Sequence, residues 1–241
     1  SRRQRQMCIR DRDIHRLNSF NNRIGGENMN EIIKLSNTTL VVTFRCNLKC
    51  KLCAVSAPYY KEPPHYSVEL LKKSIDRYFE AVDHVDKFTV NGGEPLVHPQ
   101  IAEIMDYALK YIDRMDMLEI ITNGSIAPSK ELAQVLQKSE KVDILIDDYG
   151  KELSKNVDKM IGIFEEYHIK YRRRKYYGSD AHLGGWVDLS NISLKDRSEE
   201  DTAQIYKNCA YPGPFHCFVL MGGKASVSYT HLRAHETCAD L

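Results

Sequence analysis

The sequence predicts an α/β fold built on parallel strands, and three observations carry that reading. Short β-branched apolar runs alternate with segments whose apolar residues recur by threes and fours, and five such strand and helix units can be counted from residue 40 onward. The first strand is apolar on both faces, as a buried parallel strand is. Three polar motifs each fall at the C-terminal end of a predicted strand and precede a helical pattern, which is where a barrel of β/α units builds its site.

The first strand is read at Leu40 to Phe44, followed by a cysteine-rich loop and a turn-prone stretch from Pro58 to Pro64. Ser67 then reads as the N-cap of a helix whose apolar face is Val68, Leu71, Ile75, Tyr78, Phe79 and Val82. Phe88 to Val90 is the second strand, and Pro99 suits the first turn of a helix carrying Ile101, Ile104, Met105, Ala108 and Ile112. Leu118 to Ile121 is the third strand, followed by a helix with Leu132, Val135 and Leu136 inward. Val142 to Ile146 is the fourth, followed by a helix with Leu153, Val157, Met160, Ile161 and Phe164 inward. Ile169 to Tyr171 is the fifth strand, running into Arg172, Arg173 and Arg174, and a sixth unit falls around Trp186 to Leu189. Strands joined by helices imply right-handed crossovers. After Asp201 the pattern changes: Phe218 to Leu220, a Gly222-Gly223 turn and Lys224 to Val227 read as a hairpin.

The chain has 241 residues, with 34 Lys and Arg against 33 Asp and Glu, so no global field favours nucleic acid or a membrane surface. No apolar run approaches the length of a membrane span, and no leader pattern opens the chain, so a cytoplasmic location is expected. Seven cysteines, an odd number, argue against a complete internal disulfide framework.

The chemistry concentrates in Cys46, Cys50 and Cys53, a C-x-x-x-C-x-x-C spacing directly after the first strand. Three thiols so close together in a reducing compartment read as metal ligands, either of an iron–sulfur cluster with one iron left open or of a zinc site short of one ligand. Downstream stand Asn91-Gly92-Gly93-Glu94-Pro95 and Ile121-Thr122-Asn123-Gly124, each of which alone would be a turn. In this order the three motifs resemble the signature of the radical S-adenosylmethionine enzymes. The resemblance implies a partial (β/α)6 TIM-like barrel, open on one side. It also implies a 4Fe-4S cluster on Cys46, Cys50 and Cys53 whose fourth iron takes the methionyl amine and carboxylate of S-adenosylmethionine. Reductive cleavage would give a 5′-deoxyadenosyl radical that abstracts hydrogen from a peptide or small-molecule substrate, with flavodoxin or ferredoxin as electron donor.

On that resemblance Gly92 and Gly93 let backbone approach the methionine amine, Glu94 accepts from the ammonium or holds the turn, and Pro95 fixes the exit angle. Thr122 and Asn123 contact ribose or carboxylate, or simply make a turn. Asp148 contacts ribose or substrate, or is a solvated acid at a helix start. Leu52 stands where the family usually has an aromatic residue, and it would pack over the cluster and present its backbone to adenine. One of Arg172, Arg173 and Arg174 points inward to a carboxylate or phosphate, or the run is a solvated strand end. His98 and His216 read as structural.

Cys209 and Cys217 around the hairpin resemble the start of a SPASM or twitch auxiliary-cluster module, which would hold a second iron–sulfur cluster in an intact protein; the alternative is two structural thiols. Residues 1–12 and 228–241 resemble translated sequencing-adaptor read-through and are read as non-native tails, leaving 13–200 for the barrel and 201–227 for the start of the C-terminal extension. Two other functions fit parts of the pattern: a glycyl-radical-enzyme activase, and a non-catalytic zinc or iron–sulfur scaffold.

Overall fold

The computed structural model describes residues 32–184, 197–208 and 217–226. Within them the strands are β1 (Lys34–Thr43), β2 (His84–Gly92), β3 (Met115–Thr122), β4 (Val142–Asp148), β5 (Lys170–Lys175), β6 (Cys217–Met221) and β7 (Lys224–Ser226). They form one sheet in the order β5-β4-β3-β2-β1-β6-β7. Every neighbouring pair is parallel except the β6/β7 hairpin.

The helices are α1 (Val68–Ala81), α2 (Ile101–Ala108), α3 (Lys130–Leu136), α4 (Val157–Glu166) and α5 (Glu199–Asn208). Ser67 caps α1 by accepting from Leu70 N–H at 3.3 Å, and Ser129 caps α3 in the same way from Leu132 at 3.1 Å. The apolar faces of α1 to α4 meet Leu40, Val42, Phe88, Val90, Leu118, Ile120, Ile144 and Ile146 in one continuous core. Because side chains alternate along a strand, the residues between these point to the other face. That inner face carries Thr39, Thr89, Glu119, Asp143 and Asp147. A doubly wound sheet is covered by helices on both faces, whereas α1 to α4 here share one side, so the sheet is an open, partial β/α barrel.

β1 and β2 are longer than the apolar runs that announce them because their N-terminal halves are largely polar: β1 begins at Lys34, not Leu40, and β2 at His84, not Phe88, whereas β4 and β5 run on past their apolar residues to Asp148 and Lys175. Two helix details differ from expectation. Pro99 precedes α2, whose N-cap is Gln100, because Pro95 to Val97 form a 3-10 turn first. Leu153 is exposed and lies before α4, since the chain turns at residues 150–156. The hairpin expected after residue 217 is present and extends the sheet along the β1 edge, and α5 was not signalled by apolar periodicity. The two expected tails, the sixth unit at 186–189, Cys209 and His216 lie outside the described residues. No described helix is long and apolar enough to cross a membrane.

Candidate active site

The site begins where β1 ends. Phe44, fully buried, packs its ring 5.1 Å from that of Tyr60 and anchors the loop that carries Cys46, Leu52 and the other two cysteines. Phe44, Val41, Val55 and Ala57 join Val219 and Met221 of β6 in a small apolar cluster on the inner face, and Cys46 and Cys53 pack against it. The hairpin therefore supplies part of the floor beneath the cysteines. Cys46, Cys50 and Cys53 are half-buried free thiols. Burial pushes Cys46 up to about 11, against the pull of Leu48 N–H on its sulfur at 3.4 Å, and Glu94 and the other two thiols raise it further. Cys50 is raised by burial and then by Cys53. Such thiols stay protonated unless a metal takes the place of the protons.

The donor set is three soft sulfurs close enough to feel one another's charge, with no fourth cysteine and no histidine in residues 45–63. That falls one ligand short of a closed tetrahedral zinc site and suits a 4Fe-4S cluster with one open iron. The apolar floor also fits such a cluster.

The Gly92-Gly93 turn is threaded against the base of this loop. Gly92 has φ +145°, and a Cβ on it would lie 2.1 Å from Thr43 O; one on Gly93 would lie 2.3 Å from Arg45 O. Gly93 N–H donates to Thr43 O at 2.8 Å and Glu94 N–H to Arg45 O at 3.0 Å. The space a side chain would need is thus filled by the chain's own backbone.

Glu94 is completely buried and accepts three hydrogen bonds: from Leu96 N at 3.0 Å, Thr122 Oγ1 at 2.9 Å and Asn123 N at 2.7 Å. Burial nevertheless pushes its pKa up to about 7, with those donors pulling the other way. With these partners Glu94 pins the turn after β2 to the turn after β3, and Pro95 opens the 3-10 turn that follows.

Thr122 is buried and spends its hydroxyl on Glu94 and Gly124 N. Asn123 links the third motif to the cysteine loop: its Nδ2 donates to Asn47 Oδ1 at 3.1 Å and toward Cys46 Sγ at 3.7 Å, while its Oδ1 accepts from Ser125 N at 2.9 Å. Asn47 Nδ2 donates to Ser125 Oγ at 2.8 Å. Ser154 Oγ donates to Asn123 O at 2.6 Å and accepts from Tyr149 N, carrying the network to the end of β4. The sequence does not single out Asn47, Ser125 or Ser154; for Asn47 and Ser125 a short polar residue beside a motif was the available signal, and Ser154 had none.

Asp148 is buried on the helix-facing side of β4, where Arg173 Nε donates to it at 2.7 Å and Gly150 N at 2.8 Å. Its neighbour Asp147 faces inward and receives both Nε and Nη2 of Arg174, at 2.6 and 2.8 Å. Of the three arginines, Arg172 and Arg174 share the inner face. Tyr149 stacks on Tyr176 with centroids 5.3 Å apart, and Tyr149 is near enough to Cys50 to sense its charge. The structure thus brings the cysteines, the Gly-Gly turn, Glu94, Thr122 and Asn123 together.

Cys217 lies apart: it pairs with Asn37, six residues before the end of β1, roughly 20 Å along the strands from the cysteine loop. His98 bonds Tyr66 O at 2.9 Å and stacks on His65, a local structural role. A further ligand-like trio, His84, Asp86 and Asp116, sits at the opposite strand ends, where Lys34 Nζ lies 2.8 Å from Asp86 Oδ1.

Comparison with family models points the same way. The family model described as the Radical SAM superfamily matches residues 40–173, more than half of the chain. The subtilosin biosynthesis protein AlbA of Bacillus subtilis (strain 168) is 32% identical over 130 residues, covering 52% of this chain and 27% of that protein. GTP 3′,8-cyclase of Aquifex aeolicus (strain VF5) is 25% identical over 175 residues, covering 69% of this chain and 51% of the enzyme. The chain therefore spans between about a quarter and about half of the length of these two relatives. Among solved structures, Streptococcus suis SuiB bound to precursor peptide SuiA gives a TM-score of 0.49 at 16% identity over 72% of this chain and 38% of that one. BtrN in complex with AdoMet and 2-DOIA gives 0.47 at 17% identity over 77% and 69%.

Proposed function

Because the chain belongs to the Radical SAM superfamily, whose members are enzymes that use S-adenosylmethionine, we propose that Cys46, Cys50 and Cys53 hold a 4Fe-4S cluster for its reductive cleavage. When bound, cluster and cofactor supply the electron and the 5′-deoxyadenosyl radical that removes hydrogen from the substrate. The observation that carries this reading is three mutually interacting thiols on one loop, two of them, Cys46 and Cys53, on an apolar floor, with the Gly-Gly backbone turn against the base of that loop.

The chain's own residues fix the frame. Gly92 and Gly93 permit main chain from β1 and β2 to touch, Glu94 locks two strand-end turns together, and Asn123 orients the cysteine loop through Asn47. The exposed polar atoms of these turns are the groups offered to the cofactor's amine, carboxylate and ribose, and Leu52 contributes its backbone and apolar side chain beside the adenine. The electron is proposed to come from a flavodoxin or ferredoxin, and the substrate to be a peptide or small molecule. Asp148, if it contacts ribose, does so from a position already paired with Arg173. A second cluster on Cys209 and Cys217 would need further cysteines, because two thiols fill half of a four-cysteine site.

The test is anaerobic incubation of cluster-loaded protein with S-adenosylmethionine and dithionite. Chromatography should detect 5′-deoxyadenosine from wild type and none from Cys50→Ala. Cluster-replete wild type that makes none would refute the proposal.

A further inference from the structure

The inner face of the sheet is divided. Its β1/β6 side is apolar beneath Cys46 and Cys53, whereas its β2 to β5 side holds Glu119, Asp143 and Asp147 with Lys87, Arg172 and Arg174. Charges balance there, three against three, but they are not equally accessible. The carboxylate side chains are 1%, 13% and 12% exposed, the two arginines 50% and 32%. An incoming molecule therefore meets guanidinium groups, and the acids stand behind them.

The acids also aim the arginines. Arg172 gives Nε to Asp143 at 3.0 Å and Nη2 to Glu119 at 2.6 Å; Arg174 gives Nε and Nη2 to Asp147. In both, one edge of the guanidinium is consumed by buried carboxylate, and Nη1 has no protein partner among the described residues. Fixing one edge leaves the other oriented at little further entropic cost, an arrangement suited to a planar or tetrahedral oxyanion. The two residues are two apart on β5, so their backbones are roughly 7 Å apart on the same face. Arg174 lies 5.9 Å from the Tyr176 ring, which stacks on Tyr149, and Tyr149 is near enough to Cys50 to sense its charge, so this face runs toward the cysteine loop.

We propose that Arg172 and Arg174, held from behind by Glu119, Asp143 and Asp147, bind an anionic group of the substrate, a carboxylate or phosphate, on the inner face of the sheet. This rests on the radical S-adenosylmethionine reading for the word substrate, while the anion site itself does not depend on the cluster. S-adenosylmethionine also carries a carboxylate, so the test must separate the two sources.

Inorganic pyrophosphate is the probe, titrated calorimetrically into the full chain at low ionic strength. Binding to wild type should weaken by about tenfold or more in Arg174→Gln and Arg172→Gln, as expected when a charge-assisted contact is lost. It should be unchanged in Lys138→Gln, a surface cation elsewhere. Because Arg174→Gln strands Asp147, the pair variant Asp147→Asn with Arg174→Gln, which buries no orphan charge, should show the same loss with a native circular dichroism spectrum. Saturating S-adenosylmethionine should leave pyrophosphate affinity of the cluster-loaded protein unchanged. Absence of binding to wild type, equal binding by the pair variant, or displacement by S-adenosylmethionine would overturn the proposal. A wild type that binds pyrophosphate but yields no 5′-deoxyadenosine would instead count against the catalytic reading alone.

Discussion

Glu94 shows how one buried side chain can fix the geometry of two strand-end turns at once. Its carboxylate accepts from Leu96, Thr122 and Asn123, so the turns after β2 and β3 share one anchor. Replacing it by Gln turns an amide NH2 toward a backbone donor, Leu96 or Asn123, whichever way the group is rotated. We expect Glu94→Gln to cost about 1–3 kcal/mol in denaturant unfolding. The pH dependence has a definite sign. An acid whose folded pKa, here about 7, stands above its ordinary value of 4.5 is less stable as pH rises between the two and levels off above. The stability difference between wild type and Glu94→Gln should therefore shrink from about pH 5 to about pH 8. A difference that grows over that range would show that the three donors, not burial, dominate.

At the scale of elements, the site depends on strands that touch where a side chain would not fit. Gly93→Ala places a methyl 2.3 Å from Arg45 O and 2.8 Å from Phe44 O, backbone atoms that cannot rotate away. It should lower both thermal stability and iron retention. Gly162, inside α4, is the opposite case: nothing lies within 4 Å of its added Cβ, so Gly162→Ala should stabilise by about 0.5–1 kcal/mol in a denaturant titration. The hairpin makes a third test. Met221 of β6 lies in the apolar cluster under Cys46 and Cys53, so Met221→Ala should cost about 2–5 kcal/mol and release iron faster under chelator. Unchanged release would mean that the hairpin does not support the loop.

At the scale of the molecule, periodicity and motif order made much of the architecture legible. The buried half of each strand, the Ser67 cap and the three strand-end motifs could be read directly, because burial and caps leave local patterns. Other features could not. The polar starts of β1 and β2 carry no apolar run, and the docking of β6 on β1 joins residues about 180 positions apart with no local trace. Arg172, Arg173 and Arg174 were legible as a run but not as three directions; only strand register separates the two that face inward from the one bound to Asp148. Asp147 and Asp148 are alike in sequence for the same reason, since a shift of one residue changes the face.

The three cysteines are proposed to leave one metal position open to S-adenosylmethionine. Electron paramagnetic resonance of the anaerobically reconstituted, reduced chain, with and without the cofactor, tests that proposal. About four irons per chain are expected, with a reduced-cluster signal whose g values shift on adding S-adenosylmethionine, and loss of both in Cys46→Ala. Bound zinc without iron, or a cluster signal indifferent to S-adenosylmethionine, would contradict it.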